Sequence, residues 1–164
     1  MPEPKLVIDT GPILALTAAT GDLQVLQSLY EQVLVPWEVS QEILAGGPDS
    51  FGVKEFAEAE WLRKMRSPTE IPVLLRNSLD AGEASVIQLA INENVPTVCI
   101  DESVGRRIAR LSGLSVTGSL GVLLRAQREG LQVSIPEAIA RMREKGIWLS
   151  ESVARFAVEQ SGEE

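Results

Sequence analysis

Several carboxylates stand where an apolar segment gives way to a polar one. Asp9 follows Leu6-Val7-Ile8, and Asp101 follows Val98-Cys99-Ile100. Short continuous apolar runs of this kind mark strands buried on both faces. In open parallel sheets, ligands bind beyond the carboxyl ends of the strands, so both aspartates are expected on one rim. Glu42 falls among Val39, Ile43 and Leu44 in the helix after Val33-Leu34-Val35, and the spacing places it near a buried face. Glu38, one turn earlier, lies on the same side, and two like charges so spaced repel by a few tenths of a kcal/mol. A cation would relieve that. Asp80 and Glu83 form an Asp-x-x-Glu pair at a helix start, a capping-box pattern in which Asp80 caps the helix while Glu83 points inward. Each feature also has a plain structural reading, since aspartate is a favoured helix cap and paired glutamates often only solvate a surface.

Taken together, Asp9, Glu42, Glu83 and Asp101 come from four separate segments and would form an all-oxygen site. Hard cations such as Mg²⁺ and Mn²⁺ suit such ligands. With a bound water they support phosphodiester hydrolysis. Composition narrows the choice in the same direction. The 164 residues include no histidine and one cysteine, Cys99. That excludes Ser-His-Asp and Cys-His catalysis and every His-ligated zinc site. A lone cysteine forms no internal disulfide, which suits a reducing compartment. The 45% hydrophobic and 23% charged shares match an ordinary globular protein. The N-terminus has no secretory pattern, and no stretch approaches the roughly 20 apolar residues of a membrane helix. A cytoplasmic protein with no membrane partner is expected.

These side chains need elements to hold them. Strands are expected at 6–8, 33–35, 97–100 and 114–117. Thr10 and Asp22 look like helix caps, and helices are expected after each. Phe51 to Leu62 has helical spacing, but 49–78 is the least regular stretch. A strong helix opens at Leu79-Asp80 and runs to Asn94, another covers Arg106 to Leu111, and three more cover 119–129, 136–145 and 150–160. Short strands alternating with helices indicate an α/β fold with a parallel sheet. The acidic tail, 161–164, is expected to fray.

The net charge of −8 is unevenly distributed. Residues 1–102 hold 6 basic and 16 acidic side chains, whereas residues 103–150 hold 8 and 3. The second block suggests a localised anion-binding face, or simply solvated helices.

In order, the motifs resemble those of the PIN domain (PilT N-terminal domain), the nuclease fold of VapC-type toxins. The matching segments are Val7-Ile8-Asp9-Thr10-Gly11-Pro12, Val35-Pro36-Trp37-Glu38-Val39-Ser40-Gln41-Glu42-Ile43, Leu79-Asp80-Ala81-Gly82-Glu83-Ala84, and Ile100-Asp101-Glu102 with Gly105-Arg106-Arg107. Val116 to Leu123 and Gly146 to Ser150 resemble one bacterial and archaeal subgroup. The resemblance spans nearly the whole chain. It implies a single PIN-like domain over 1–164, a three-layer α/β/α fold whose central parallel sheet has about four to five short strands, and C-terminal helices over about 119–160. It also implies a Mg²⁺- or Mn²⁺-dependent endoribonuclease that hydrolyses single-stranded RNA, a homodimer, and a toxin with a possible antitoxin partner. Asp9, Glu42 and Asp101 carry over to family acids, and Glu83 to the third place, with Asp80 as its rival. Glu102 stands where many relatives have a second aspartate and would reach metal by a longer arm or through water. Thr10 matches a small hydroxyl residue that steadies the first acid. Arg106 and Arg107 would contact the RNA backbone.

The alternative within this fold is a catalytically silent module that binds nucleic acid or protein. Receiver-type and haloacid-dehalogenase chemistry also place an aspartate at a strand end. A receiver wants a lysine near its last strand, and none occurs between Leu114 and Lys145. A dehalogenase wants aspartate two residues after its nucleophile, and position 11 is glycine. No Gly-x-Gly-x-x-Gly follows the first strand, so a dinucleotide site is not expected.

Overall fold

The structure, a computed structural model, describes residues 3–163. Five strands form one parallel sheet: β1 (Glu3–Ile8), β2 (Tyr30–Val35), β3 (Arg63–Lys64), β4 (Thr97–Cys99) and β5 (Ser115–Thr117). Their order is β3-β2-β1-β4-β5. From β1 the chain winds outward to β2 and β3, then crosses back to β4 and β5. The winding therefore reverses between β1 and β4, where Val7 pairs with Val98 and Ile8 with Cys99. That reversal opens a crevice at the carboxyl ends of the two strands. Asp9 and Asp101 sit just past these ends.

Among the described residues ten helices flank the sheet. Helices α1 (Thr10–Thr20), α2 (Gln24–Leu29), α8 (Ser119–Arg128), α9 (Ile135–Glu144) and α10 (Glu151–Ser161) pack with one another. Helix α6 (Ala81–Asn92) contacts α5 (Val73–Ser78) and α7 (Ser103–Leu111). Helix α3 (Trp37–Leu44) touches both α1 and α6, so it bridges the two groups beside the crevice. The short α4 (Val53–Glu58) leads into β3. Leu6, Val7, Ile8, Leu34, Val35, Val98, Cys99 and Ile100 are wholly buried. Each large apolar side chain so buried contributes about 1.5–3 kcal/mol.

The α/β class, the parallel sheet and four of the strand positions agree with the sequence reading. The fifth strand does not follow from the sequence, because β3 is two polar residues at a sheet edge. It is fixed by Met65 N–H donating to the Val35 carbonyl (2.9 Å) and by Arg63 pairing with Glu93 (3.3 Å). Helix α4 is shorter than the spacing of 51–62 suggests, and α5 was not expected. Thr10 is not the cap of α1. Asp9 is, although its side chain makes no capping bond. Asp22 is not the cap of α2 either: the N-cap is Leu23, one residue on, although the Asp22 carboxylate accepts from Gln24 N–H (3.0 Å). Nor is the described part of the acidic tail frayed. The Glu163 carboxylate accepts from Ser134 Oγ (2.9 Å), Ile135 N–H (3.0 Å) and Gln127 Nε2 (2.5 Å), pinning it to the start of α9.

Leu34 sits in the middle of the sheet with no exposure. Leu34→Ala should destabilise the protein by about 2–5 kcal/mol in urea unfolding, the range of buried leucine truncations. A loss below 1 kcal/mol would show that this strand is not central to the core.

Candidate active site at the sheet rim

Asp9 ends β1 and is 7% exposed. Its N–H donates to the Cys99 carbonyl (3.1 Å), which locks the rim ends of β1 and β4 together. The backbone N–H of Thr10 donates to the Asp9 carboxylate. The Thr10 hydroxyl, buried and without a hydrogen-bond partner, does not hold it. The residue steadies the acid through its backbone instead.

Glu83 lies in the first turn of α6 and is 6% exposed. Asp80 caps that helix, its Oδ1 accepting from Glu83 N–H (2.8 Å). The capping reading of Asp80 holds, and the cap fixes the turn from which Glu83 projects inward.

Helix α3 has three faces, as its 100° per residue dictates. Val39 and Ile43 are buried toward the core. Glu38 and Glu42 share a second face. Glu38 is fully employed there, accepting from Thr69 N–H (2.7 Å) and Thr69 Oγ1 (3.0 Å). It ties the irregular 65–72 segment to α3. Glu42 is exposed on the rim rather than buried: its face borders the core face of the helix without belonging to it.

Gly82 shows how closely these groups approach. A β-carbon at this position would lie 2.9 Å from Glu42 Oε2, 3.3 Å from Asp9 Oδ1 and 3.5 Å from Asp80 Oδ1. Three carboxylates from three elements thus surround one point at the start of α6. Glu83 is adjacent, with its Oε2 3.1 Å from the corresponding point on Gly105.

Asp101 is exposed at the neighbouring strand end, close enough for its charge to act on Asp9. Its carboxylate accepts from Ser119 N–H (2.8 Å) and Ser119 Oγ (2.9 Å) at the start of α8. A β-carbon on Gly118 would meet Asp101 Oδ1 at 2.7 Å and Arg106 Nη1 at 2.8 Å. Sequence reasoning missed Ser119, and only its position after Thr117-Gly118 on the neighbouring strand end could have pointed to it. Glu102 is the residue before α7 and is exposed.

Electrostatics follow from this crowding. The Asp9 carboxyl is pushed up to about 7, chiefly by burial; Thr10 N–H opposes, and Asp80, Glu42 and Asp101 add to the rise. Glu83 also rises to about 7, again mainly by burial, then through Asp80, Asp9, Glu102 and Glu42. Mutual repulsion among the acids is real but secondary to desolvation. Among the described residues no group of three or more acids or cysteines is placed, as it stands, to hold a metal ion. The acids are nevertheless all oxygen donors and two of them are buried, a chemistry that would suit a hard divalent cation if they drew together around it. Cys99 offers no nucleophile, since it is fully buried and burial pushes its thiol up.

The basic block is mostly consumed within the protein. Arg106 donates to the Ile100 carbonyl (2.7 Å), Arg141 to Glu137 (2.6 Å) and Arg143 to Glu151 (3.1 Å). Arg125 lies over Tyr30 and pairs with Glu129, and Lys145 lies over Phe51. Five of its eight cations thus have internal work, so the block is not one free phosphate-binding face. Arg107 is exposed on α7.

A five-stranded parallel sheet with acids gathered at its switch point defines a PIN-like α/β nuclease fold. A family model described as a PIN domain matches residues 5–163, and the chain belongs to that family. No curated protein gives a significant match. PIN domains are generally nucleases that act on nucleic acid with divalent metals. No helix among the described residues is long and apolar enough to cross a membrane.

A raised carboxyl pKa has a definite sign in stability. Between about pH 4 and 7 folded Asp9 keeps a proton that the unfolded chain has lost, so stability falls as pH rises through this window and levels off above it. In EDTA, Asp9→Asn should be more stable than wild type at pH 8, by up to about 2–4 kcal/mol, with the gain shrinking toward pH 4. Equal urea midpoints at pH 8 would contradict the buried, charge-strained carboxylate.

Proposed function

We propose that the chain is one PIN-like domain acting as a Mg²⁺- or Mn²⁺-dependent endoribonuclease on single-stranded RNA, of the VapC toxin type. One observation carries this reading: Asp9, Glu42 and Asp80 oxygens surround the same point at Gly82, with buried Glu83 beside them. Two buried acids with pKa near 7 need a positive charge to ionise fully at neutral pH.

Asp9, Glu42, Glu83 and Asp101 would hold the ion, with Glu102 reaching it through water and Asp80 available as a substitute for Glu83. Such an ion, when bound, supplies Lewis-acid charge to the phosphate and acidifies a water. The protein's own part is positional. Thr10 N–H keeps one Asp9 oxygen oriented, Asp80 sets the turn that carries Glu83, and Ser119 holds Asp101 at the β4 edge. Glu83 and Asp9, protonated in part near neutral pH on their own, would be held ionised beside a cation. The products are a 5′-phosphate and a 3′-hydroxyl, with no covalent enzyme intermediate. Arg107, exposed on α7, would contact a phosphate, whereas Arg106 donates to the Ile100 carbonyl and braces the Ile100–Asp101 turn. A homodimer, an antitoxin partner and a cytoplasmic setting follow from the VapC-type reading.

Asp9→Asn and Asp101→Asn should each lower Mn²⁺-dependent cleavage of single-stranded RNA by at least 100-fold while circular dichroism stays native. EDTA should abolish wild-type cleavage. Mutants that cleave normally, or cleavage that resists EDTA, would overturn the metal-nuclease reading. Stoichiometric Mn²⁺ binding without cleavage of any RNA would favour the silent binding module.

A further inference from the structure

A groove of about 500 Å³ opens beside the acidic rim and takes no part in the chemistry above. One wall is the third face of α3, with Trp37 and Ser40, and the other is formed by Phe56 of α4 and by Lys64, Met65 and Arg66 at the end of β3. It therefore lies at the carboxyl ends of β2 and β3, on the same rim as Asp9. Helix α3 presents the groove on one face and Glu42 on another, so a ligand seated in the groove is within a helix width of the carboxylates.

The lining is mixed in a particular way. Lys64 Nζ donates to the Phe56 carbonyl (2.8 Å) and lies 4.3 Å from the Phe56 ring centroid, so the wall holds its ammonium in place. An ammonium has three donors, and one hydrogen bond leaves others for a ligand. Partial burial lowers the Lys64 pKa, and an anion alongside would offset that. Arg66 is exposed, with no ion pair among the described residues. Trp37 is partly exposed, a flat surface on which any base can stack. Ser40 is 7% exposed, and its hydroxyl has no partner within the protein. Apolar Leu44, Ala57, Leu62 and Met65 complete the lining, and beside them the two cations and the partly exposed indole match a nucleotide strand better than an apolar helix.

We propose that this groove is a nucleotide subsite, in which Trp37 stacks on a base and Lys64 and Arg66 take phosphates of a single-stranded RNA that continues across the acidic rim. The proposal rests on the nuclease reading for its substrate class.

The test measures binding of a fluorescein-labelled oligouridylate of about 12 nucleotides by anisotropy, in EDTA so that nothing is cleaved. Trp37→Ala and Arg66→Ala should each weaken binding about five-fold or more while the thermal midpoint stays near wild type. Trp37→Phe should bind nearly as wild type. Arg66→Ala should also reduce the salt slope of log affinity by about 0.7, the value for one single-strand phosphate contact. With Mn²⁺ present, both alanine variants should raise KM and leave kcat within two-fold. Unchanged affinity in both variants, or a wild type that does not bind the oligonucleotide, overturns the subsite. Unchanged affinity together with altered sedimentation would assign the groove to protein contact and overturn it equally. Trp37-dependent binding by a wild type that never cleaves RNA would leave the subsite standing and sink the nuclease reading instead.

Discussion

The site depends on the absence of one side chain. At the first turn of α6, Gly82 leaves room for carboxylates from β1, α3 and the α6 cap to approach from three directions. Any β-carbon would occupy the point they share. Around that gap the protein keeps acids in conditions that disfavour their charge, with Asp9 and Glu83 almost wholly removed from water. Burial of a carboxylate without a cationic partner costs stability. A fold that keeps two such groups together gives up stability at this rim, and a bound cation would offset that cost.

The rest of the architecture sets the distances. Reversal of the winding between β1 and β4 brings Asp9 and Asp101 to neighbouring strand ends. Right-handed parallel connections leave helices on both sides of the sheet, and α3 spans the gap between the two groups. One helix therefore serves three surfaces. Its Val39–Ile43 face contributes to the core, its Glu38–Glu42 face clasps a loop and supplies an acid, and its Trp37–Ser40 face lines the groove. The two glutamates show how context divides like residues: Thr69 occupies Glu38, while Glu42 remains at the rim.

Much of this was legible in the sequence because burial leaves a periodic trace. Leu6-Val7-Ile8 and Val98-Cys99-Ile100 announce fully buried strands, and an aspartate directly after each announces the rim. The Asp80–Glu83 spacing announces its cap, which the structure contains. The missed features share a cause. β3 is two polar residues whose pairing depends on a neighbour 29 positions away, Leu34 with Arg63, and local pattern cannot report that. Ser119 acts on Asp101 across 18 positions, and the tail's Glu163 reaches Ser134 across 29. The basic block left two readings open, and its local ion pairs favour the solvated-helix one. Charge counted along the chain ignores that Arg125, Arg141 and Arg143 find acids within a turn or two of helix or on the next element.

The most direct test of the central claim is calorimetric titration of Mn²⁺ into wild type and into Gly82→Ala. The account predicts saturable binding to wild type and at least ten-fold weaker binding to the variant, with its thermal midpoint largely kept, because the added methyl group occupies the space between Glu42 and Asp9. Equal Mn²⁺ affinity in the two proteins would contradict it, since the carboxylates would then bind the ion somewhere other than the gap that Gly82 keeps open.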